Sequence, residues 1–113
     1  MINESQKTMV SVVIPVFNEA PGLQRLMERL LPVMKGLGKP YEIILVDDGS
    51  KDNSLAILRE FTVFPEIKVV ELTKNYGQHA AVFAGFFVCS GDIIITMDAD
   101  LQNPPEEIPR LVQ

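Results

Sequence analysis

The sequence has few cysteines, no long apolar run and no recognisable export signal. It contains one cysteine, Cys89, so it cannot form an internal disulfide, and the apolar surroundings of this thiol predict a small packed side chain. Its longest apolar run, Ala80 to Cys89, is too short to cross a bilayer. Its first residues are polar and lack the basic and then apolar pattern of an export signal. We therefore expect the chain itself to be soluble and cytoplasmic.

Tryptophan is absent, and basic side chains are scarce. The 10 Lys and Arg residues are outnumbered by 15 Asp and Glu residues, which gives a formal net charge of -5. This balance argues against nucleic-acid binding, which requires clustered positive charge. If the ligand carries phosphate groups, a bridging cation is favoured. The 113 residues, 47% hydrophobic and 22% charged, fit one soluble domain, which we place at residues 10–113 after a polar lead at residues 1–9.

Several common nucleotide-binding and catalytic motifs are also missing. No Gly-x-Gly-x-x-Gly follows the first apolar run, which disfavours a dehydrogenase-type dinucleotide fold, and there is no Walker loop. No arrangement of residues indicates a serine or cysteine triad. His79 is the only histidine, and a histidine satisfied by a neighbour at the end of a loop is more common than a catalytic one.

Apolar runs and helical stripes alternate along the chain. The runs predict buried strands at residues 9–16, 42–47, 67–72 and 93–97. Helices are predicted between and after them, carrying the stripe Leu23 to Leu37, the stripe Leu55 to Phe61, the segment His79 to Ser90, and a last segment that begins at Pro104. This order implies the α/β class, with a Rossmann-like, doubly wound parallel sheet.

Local signals indicate where these elements end. Pro15 must lie near the end of the first strand, because proline cannot donate to a central ladder. Pro32 predicts a kink or an early break in the first helix. Asp52 or Ser50 would cap the second helix, and Asn103 would cap the last one. The last helix should bury one stripe, formed by Ile108, Leu111 and Val112.

Every unusual polar cluster follows a predicted strand. The clusters are Pro15 to Glu19, Asp47 to Ser50, Lys74 to Gln78, and Asp98 to Gln102. The carboxyl ends of parallel strands meet at one edge of a sheet, and ligands bind beyond that edge. A purely structural domain need not concentrate polar residues there, so the sequence predicts a ligand site at this edge.

The last cluster is the strongest candidate for a metal site. Side chains alternate faces in extended backbone, so Asp98, Asp100 and Gln102 would point the same way if strand geometry persists. Three oxygen donors at one point suit Mg²⁺ or Mn²⁺, and a cation would offset the repulsion of the two carboxylates. On this pattern alone, a turn with a solvated acidic pair before a helix fits equally well.

The other clusters also have both structural and functional interpretations. Asp47 could form a helix-capping turn, or it could accept hydrogen bonds from a nucleotide base or ribose. Asn18 and Glu19 could start a helix or contact a ligand. Asn75 and Gly77 could form a simple turn, or Gly77 could allow close backbone approach and place the N-terminus of the third helix against a phosphate.

Four motifs in order carry a resemblance to a known family. They are Val13-Ile14-Pro15-Val16-Phe17-Asn18-Glu19, Val46-Asp47-Asp48-Gly49-Ser50-Lys51-Asp52-Asn53-Ser54, Asn75-Tyr76-Gly77-Gln78, and Met97-Asp98-Ala99-Asp100-Leu101-Gln102-Asn103-Pro104-Pro105-Glu106. Together they resemble the family 2 inverting glycosyltransferases with a GT-A fold. The similarity is strongest to the polyprenyl-phosphate branch, which includes dolichyl-phosphate mannose synthases and bacterial undecaprenyl-phosphate sugar transferases. It runs from about Val10 to the last residue and implies the nucleotide-binding half of a GT-A fold.

The resemblance implies roles for the residues at the predicted edge. The nucleotide-binding residues would be Pro15, Phe17, Asn18, Glu19, Asp47, Asp48, Ser50, Asn75, Gly77, Asp98 and Ala99. Of these, Asp47 would contact the base, while Asp48 and Ser50 would support its loop. Asp98 and Asp100 would be the catalytic residues. A divalent ion, Mg²⁺ or Mn²⁺, would be held on the donor diphosphate by Asp98, Asp100 and Gln102, with Asp100 and Gln102 as direct ligands.

The activity implied is metal-assisted, inverting transfer of a sugar from a nucleotide-sugar donor, expected to be a UDP-sugar, to a polyprenyl phosphate. Family members continue into an acceptor-binding part and often into transmembrane helices. The chain is therefore expected to be the donor-binding part of an enzyme at the cytoplasmic side of a membrane. Whether it is active alone, and whether it forms oligomers, stays open.

Two competing hypotheses remain at this stage. The chain could be a non-catalytic nucleotide-binding module that keeps the fold without turnover. It could also be a phosphoacceptor or phosphatase-like α/β domain, although the Asp-x-Asp-x-Gln spacing disfavours that class.

Overall fold

The structure, a computed structural model, describes residues 8–112 as a four-stranded sheet with helices on both faces. The strands are β1 (Val10–Val16), β2 (Tyr41–Asp47), β3 (Ile67–Glu71) and β4 (Ile93–Thr96). The helices are α1 (Leu23–Lys35), α2 (Ser54–Glu60), α3 (Gln78–Val88) and α4 (Ile108–Leu111), with 3-10 turns at Ala20–Gly22, Phe61–Val63 and Pro105–Glu107. Of the predicted polar lead, only Thr8 and Met9 fall within the described residues.

All strand pairs are parallel, and the order across the sheet is β3-β2-β1-β4. The chain adds β2 and β3 on one side of β1 and then crosses back through α3 to place β4 on the other side. This topology confirms the predicted α/β class with a parallel sheet. The strand order reverses at β1, and ligands bind beyond the carboxyl ends of the strands at such a reversal.

The central strands are buried on both faces, as their continuous apolar sequences predict. On one face, β1 and β2 form the larger core with α1, α2 and the start of α4. On the other face, Val13, Ile44 and Val46 pack against Ala81 of α3. Gly85 of α3 is so close to this face that a Cβ atom would clash with Val13 and Val46. Helix α3 therefore rests directly on the sheet.

Pro15 lies near the end of β1, as predicted, and the ladder shows why it is tolerated. The carbonyl of Val13 accepts a hydrogen bond from the backbone of Met97, so the backbone of alternate residues, Val13 and Pro15, faces β4. The pairing with β4 ends at Val13 and Thr96. The nitrogen of Pro15 thus lies beyond the last pair, where its missing N–H costs no ladder bond.

Two details of the helices correct the sequence-based expectations. The early break at Pro32 does not occur, because α1 continues to Lys35 and ends at Gly36; Pro32 is exposed, so the carbonyl that loses its partner can be hydrated. Pro104 is not the first helical residue. It is extended, with ψ 130°, since the residue before a proline avoids helical geometry, and the helical turn begins at Pro105.

The predicted apolar stripe of the last helix is only partly buried. Ile108 and Val112 lie in the core, but Leu111 is 61% exposed, because α4 is a single turn and only one side of it faces the core. Within residues 8–112, no helix has both the length and the apolar character needed to cross a bilayer.

Candidate functional site

The carboxyl ends of the strands surround an open cavity of about 420 Å³. Its walls come from the loops after β1, β2, β3 and β4. They are formed by Pro15, Val16, Phe17, Glu19, Asp48, Asn75, Gly77, Gln78, Asp98, Ala99, Asp100 and Gln102. The predicted edge of the sheet therefore contains a cavity with the predicted polar clusters around it.

The cavity brings together most of the residues singled out from the sequence and leaves three of them out. Asn18, Asp47 and Ser50 do not line it. It also includes Val16 and Gln78, to which the sequence had assigned no site role. Gln78 could have been suspected because it follows Gly77 at the start of a helix beside the predicted site. His79 is exposed and does not line the cavity.

Asn18 and Ser50 instead join the loops that follow β1 and β2. The backbone N–H of Asn18 donates to Ser50 Oγ at 2.9 Å, and Asn18 Oδ1 accepts from the backbone of Lys51 at 2.8 Å. Asn18 adopts a positive φ of 53°, a conformation that asparagine tolerates better than most residues. A second link runs from the backbone of Glu19 to Ser54 Oγ at 2.9 Å. These bonds hold Glu19 at the cavity wall.

The predicted cap of the second helix is only partly as expected. The residue that precedes α2 is Asn53, and its side chain makes no capping bond. Asp52 supplies a carboxylate instead, accepting from the backbone of Ser54 at 2.9 Å and of Ala20 at 3.2 Å. Hydrogen bonding from Ser54 lowers the pKa of Asp52. Ser50 takes no part in this cap, because its hydroxyl accepts from Asn18.

Asp48 fixes the loop that follows β3. Its carboxylate accepts from the backbone of Tyr76 at 2.8 Å and of Gly77 at 3.1 Å, and from Asn75 Nδ2 at 3.0 Å. Gly49, with a φ of +71°, permits the close approach of the two loops, because a Cβ atom there would clash with the backbone of Lys74 and Asn75. The Asp48 carboxylate thus holds the loops after β2 and β3 together, and its hydrogen bonds are made within the protein.

Asp47 is buried and incompletely satisfied. It is only 2% exposed, and its Oδ2 accepts from the backbone of Ser50 at 3.3 Å. Among residues 8–112, its Oδ1 has no hydrogen-bond partner. A buried oxygen without a partner is costly and calls for an explanation, one of which is a ligand that supplies the missing donor.

The segment after β4 reaches the cavity by a turn rather than by extended strand. The strand ends at Thr96, and Leu101 has a positive φ of 62°, so the alternation expected of Asp98, Asp100 and Gln102 does not persist. All three residues nevertheless line the cavity. The extended geometry expected of them is therefore wrong, and a shared metal site of these three residues stays a prediction.

Each of the two aspartates in this turn uses one oxygen within the protein. Asp98 Oδ1 accepts from Gln78 Nε2 at 2.9 Å, and Asp100 Oδ1 accepts from the backbone of Gln102 at 3.2 Å. Among residues 8–112, no group hydrogen-bonds the second oxygen of either carboxylate. The turn therefore presents two unpartnered carboxylate oxygens.

The site carries excess negative charge. Partial burial of Glu19, followed by the nearby charges of Asp100, Asp52 and Asp98, raises the pKa of Glu19. No three His, Cys, Asp or Glu side chains within the described part of the chain form a preformed metal-ligand cluster. The donor set still fits Mg²⁺ or Mn²⁺, because such ions are commonly held by one or two carboxylates together with the phosphates of a ligand.

Comparison with known proteins identifies the family of the chain. The family profile described as Glycosyl transferase family 2 matches residues 11–113. The chain belongs to this family. It is 59% identical over 106 residues to the undecaprenyl-phosphate 4-deoxy-4-formamido-L-arabinose transferase of Pectobacterium carotovorum, a match that covers 92% of the chain. The chain spans about a third of the length of the curated relatives it matches, 32% in this case.

Solved structures of other glycosyltransferases share the fold and include complexes with nucleotides and metal. The glucosyl-3-phosphoglycerate synthase of Mycobacterium tuberculosis, in complex with Mn²⁺, UDP and glucosyl-3-phosphoglycerate, matches with a TM-score of 0.74 and 25% identity, over 93% of this chain and 38% of that one. The mannosyltransferase PcManGT of Pyrobaculum calidifontis, in complex with GDP-Man and Mn²⁺, matches with a TM-score of 0.67 and 28% identity, over 83% and 28% of the two chains. Such neighbours have the GT-A fold that the motifs indicate.

Proposed function

We propose that the chain is the donor-binding part of a glycosyltransferase that moves a sugar from a UDP-sugar to a polyprenyl phosphate, with inversion and with the help of Mg²⁺ or Mn²⁺. The observation that carries the proposal is the cavity at the carboxyl edge of the sheet, where Glu19, Asp98 and Asp100 bring carboxylates together. The name of the bacterial relatives supports the lipid acceptor, and the nucleotides bound to solved neighbours support the donor.

The nucleoside would bind on the side of the cavity formed by the loops after β1, β2 and β3. The free Oδ1 of Asp47 supports a base contact, because it lies at the end of β2 and lacks a donor. Asp47 does not line the cavity, so the base would have to reach the edge of this wall beside Pro15 and Phe17. Asp48, Asn18 and Ser50 would hold the wall in place rather than contact the nucleotide.

The donor diphosphate would lie near the turn after β4. Asp98, Asp100 and the amide of Gln102 would hold the cation, and their hard oxygen atoms suit Mg²⁺ and Mn²⁺. When bound, the cation stabilises the negative charge of the departing nucleoside diphosphate as a Lewis acid. The residues of this chain would orient the diphosphate, and Glu19 lines the same cavity beside them.

The acceptor would be a lipid phosphate, which is already an anion and needs little help from a general base. Its binding site would lie in the part of the relatives that the match does not cover. An enzyme with this acceptor would act at a membrane, because a polyprenyl phosphate is anchored in the bilayer. We propose that it acts at the cytoplasmic side. For this chain alone, we expect donor binding without transfer.

Calorimetric titration of UDP into the chain tests the donor half of the proposal. We expect binding in Mn²⁺ or Mg²⁺ that weakens strongly in EDTA, and loss of the metal-dependent part in the double variant Asp98→Asn, Asp100→Asn. The matched control is Glu106→Gln and Glu107→Gln, two acidic residues outside the cavity. No binding by a folded sample, or binding of equal strength with and without metal, would contradict the proposal.

A non-catalytic nucleotide-binding module is the second candidate, because the unpartnered Oδ1 of Asp47 and the aspartates at the cavity favour ligand binding without requiring turnover. Both candidates bind UDP, so binding does not separate them. Transfer of radiolabelled sugar to undecaprenyl phosphate separates them, with the chain tested alone and together with the remaining part of a relative. Transfer in the mixture supports the enzyme, and its absence in a mixture shown to form a complex supports the module.

A further inference from the structure

We propose that Gln78 is a positioning residue that orients Asp98 for the cation and the donor diphosphate. The inference rests on the proposed function and assigns a role that the sequence motifs left empty. Gln78 is the first residue of α3, lines the cavity, and donates from Nε2 to Asp98 Oδ1 at 2.9 Å. Within residues 8–112, this is the one hydrogen bond that the Asp98 side chain receives, and the other oxygen stays available.

The electrostatics of the site explain why an orienting donor is needed. Asp98 shares the cavity with Glu19 and Asp100, and like charges tend to drive carboxylates apart. A carboxylate that is repelled and unrestrained would rotate towards solvent. The bond from Gln78 fixes one oxygen of Asp98, so the second oxygen keeps a defined direction.

The chemistry of the donor also fits this role. An amide N–H is neutral, so it restrains Asp98 without cancelling the negative charge that a cation requires. A lysine or an arginine at position 78 would restrain the carboxylate but would also neutralise it and compete with the metal. Partners that orient metal ligands in this way commonly change metal affinity by about tenfold or more when they are removed.

The backbone of Gln78 is itself firmly held. The preceding residue, Gly77, donates to Asp48 Oδ2 at 3.1 Å, and its carbonyl accepts from Ala81 in the first turn of α3 at 3.0 Å. Asp48, in the loop after β2, and Asp98, in the turn after β4, both line the cavity. The segment Gly77 to Gln78 connects them, because the backbone of Gly77 bonds Asp48 and the side chain of Gln78 bonds Asp98.

The test compares UDP binding in Mn²⁺ and in EDTA for the wild-type chain and for Gln78→Met, which keeps the length of the side chain but removes the donor. We expect the dissociation constant for UDP in Mn²⁺ to rise about tenfold, and the constant in EDTA to stay within twofold. A merely structural role would weaken both. The matched control is Gln24→Met, since Gln24 makes a similar amide–carboxylate contact with Glu28 on an exposed face of α1.

A second variant, Gln78→Lys, separates the donor from the charge. We expect it to bind UDP in EDTA more tightly than the wild type, because the ammonium attracts the diphosphate, and to lose most of the gain from Mn²⁺. Equal Mn²⁺ dependence in the wild type and in Gln78→Met would overturn the role of Gln78 while leaving the proposed function intact. No metal-dependent UDP binding by the wild-type chain would overturn the proposed function itself.

Discussion

Glu42 and Glu19 are acidic residues at opposite ends of the sheet, and their surroundings differ in kind. Glu42 lies at the amino end of β2 and is only 2% exposed, yet both of its oxygens have partners. Lys68 Nζ donates to Oε1 at 2.7 Å, while Ser11 Oγ and the backbone of Ser90 donate to Oε2. Burial raises the pKa of Glu42, but the bonds from Lys68, Ser11 and Ser90 outweigh it and lower the pKa overall.

Glu19 lies at the carboxyl end of β1 and is surrounded by like charges. Its pKa is raised by burial and by Asp100, Asp52 and Asp98, and no cation within the described residues forms an ion pair with it. The comparison teaches that acidic residues do two jobs in this fold. At one end of the sheet a carboxylate has all its partners within the protein and links neighbouring elements. At the other end, where we propose that a cation binds, carboxylates lie together and residues 8–112 provide no cation that pairs with Glu19.

The largest effect is expected when the completed carboxylate is removed. Glu42→Ala would leave the buried Ser11 hydroxyl and the partly buried Ser90 amide without an acceptor, so we expect the free energy of unfolding to fall by about 3 kcal/mol. Urea denaturation measures this loss. The control is Glu71→Gln, which breaks an exposed pair with Arg59 and should cost less than about 1 kcal/mol. Equal costs for the two variants would remove the distinction drawn here.

The same network should be sensitive to a single added methyl group. A Cβ atom on Gly91 would clash with Oγ and the backbone nitrogen of Ser11, which is the hydroxyl that bonds Glu42. We expect Gly91→Ala to destabilise the fold by about 2 kcal/mol, measured by urea denaturation. Gly22→Ala is the matched control, because no atom of the described residues lies within 4 Å of the position of its Cβ atom. A Gly91→Ala chain as stable as the control would contradict the packing described.

The two ends should also respond to pH in opposite directions. Because the pKa of Glu42 is lowered in the fold, its stabilisation is present above the ordinary value of 4.5 and is lost as the pH falls through the folded value. Because the pKa of Glu19 is raised, the fold loses stability as the pH rises above 4.5 towards the raised value. In metal-free buffer, Glu42→Gln should therefore cost most near neutral pH, and Glu19→Gln should be neutral or stabilising there.

Thermal unfolding of Glu42→Gln and Glu19→Gln between pH 3 and neutrality measures both predicted changes in stability. Each difference from the wild type should shrink as the pH falls below the ordinary carboxylate range. Differences of the same sign for both variants would show that Glu19 is satisfied by the fold after all.

The smallest effect is expected for the carboxylates that face the cavity. Asp98→Asn with Asp100→Asn removes like charges and breaks no packing, so the free energy of unfolding without metal should change by less than about 1 kcal/mol. Urea denaturation in EDTA measures it. A loss as large as that of Glu42→Ala would place these aspartates among the groups that hold the fold.

The fold was largely predictable because it depends on local patterns. The apolar runs became β1 to β4, and the helical stripe from Leu23 became α1, with ends within a few residues of those predicted. The network around Glu42 was not predictable, because its partners Ser11, Lys68 and Ser90 lie 31, 26 and 48 residues away in sequence. No local period brings such residues together.

The location of the candidate site could be predicted from the sequence, but the side chains that face the cavity could be predicted only in part. Parallel strands put the loops after Pro15, Asp47 and Thr96 at one edge, which follows from topology alone. Which side chains face the cavity depends on bonds between loops, such as the one from Asn18 to Ser50, that turn polar residues into supports. The turn at Leu101 likewise replaced the extended geometry expected after β4.

Gly85 has a consequence for the width of the cavity. Because it has no side chain, α3 can pack closely on Val13 and Val46. The same helix begins at Gln78, at the edge of the cavity. We expect a larger residue at position 85 to push α3 away from the sheet. Gln78, two helical turns away, would then move away from Asp98. The spacing between the two sides of the cavity thus depends on Gly85, a buried residue that does not itself face the cavity.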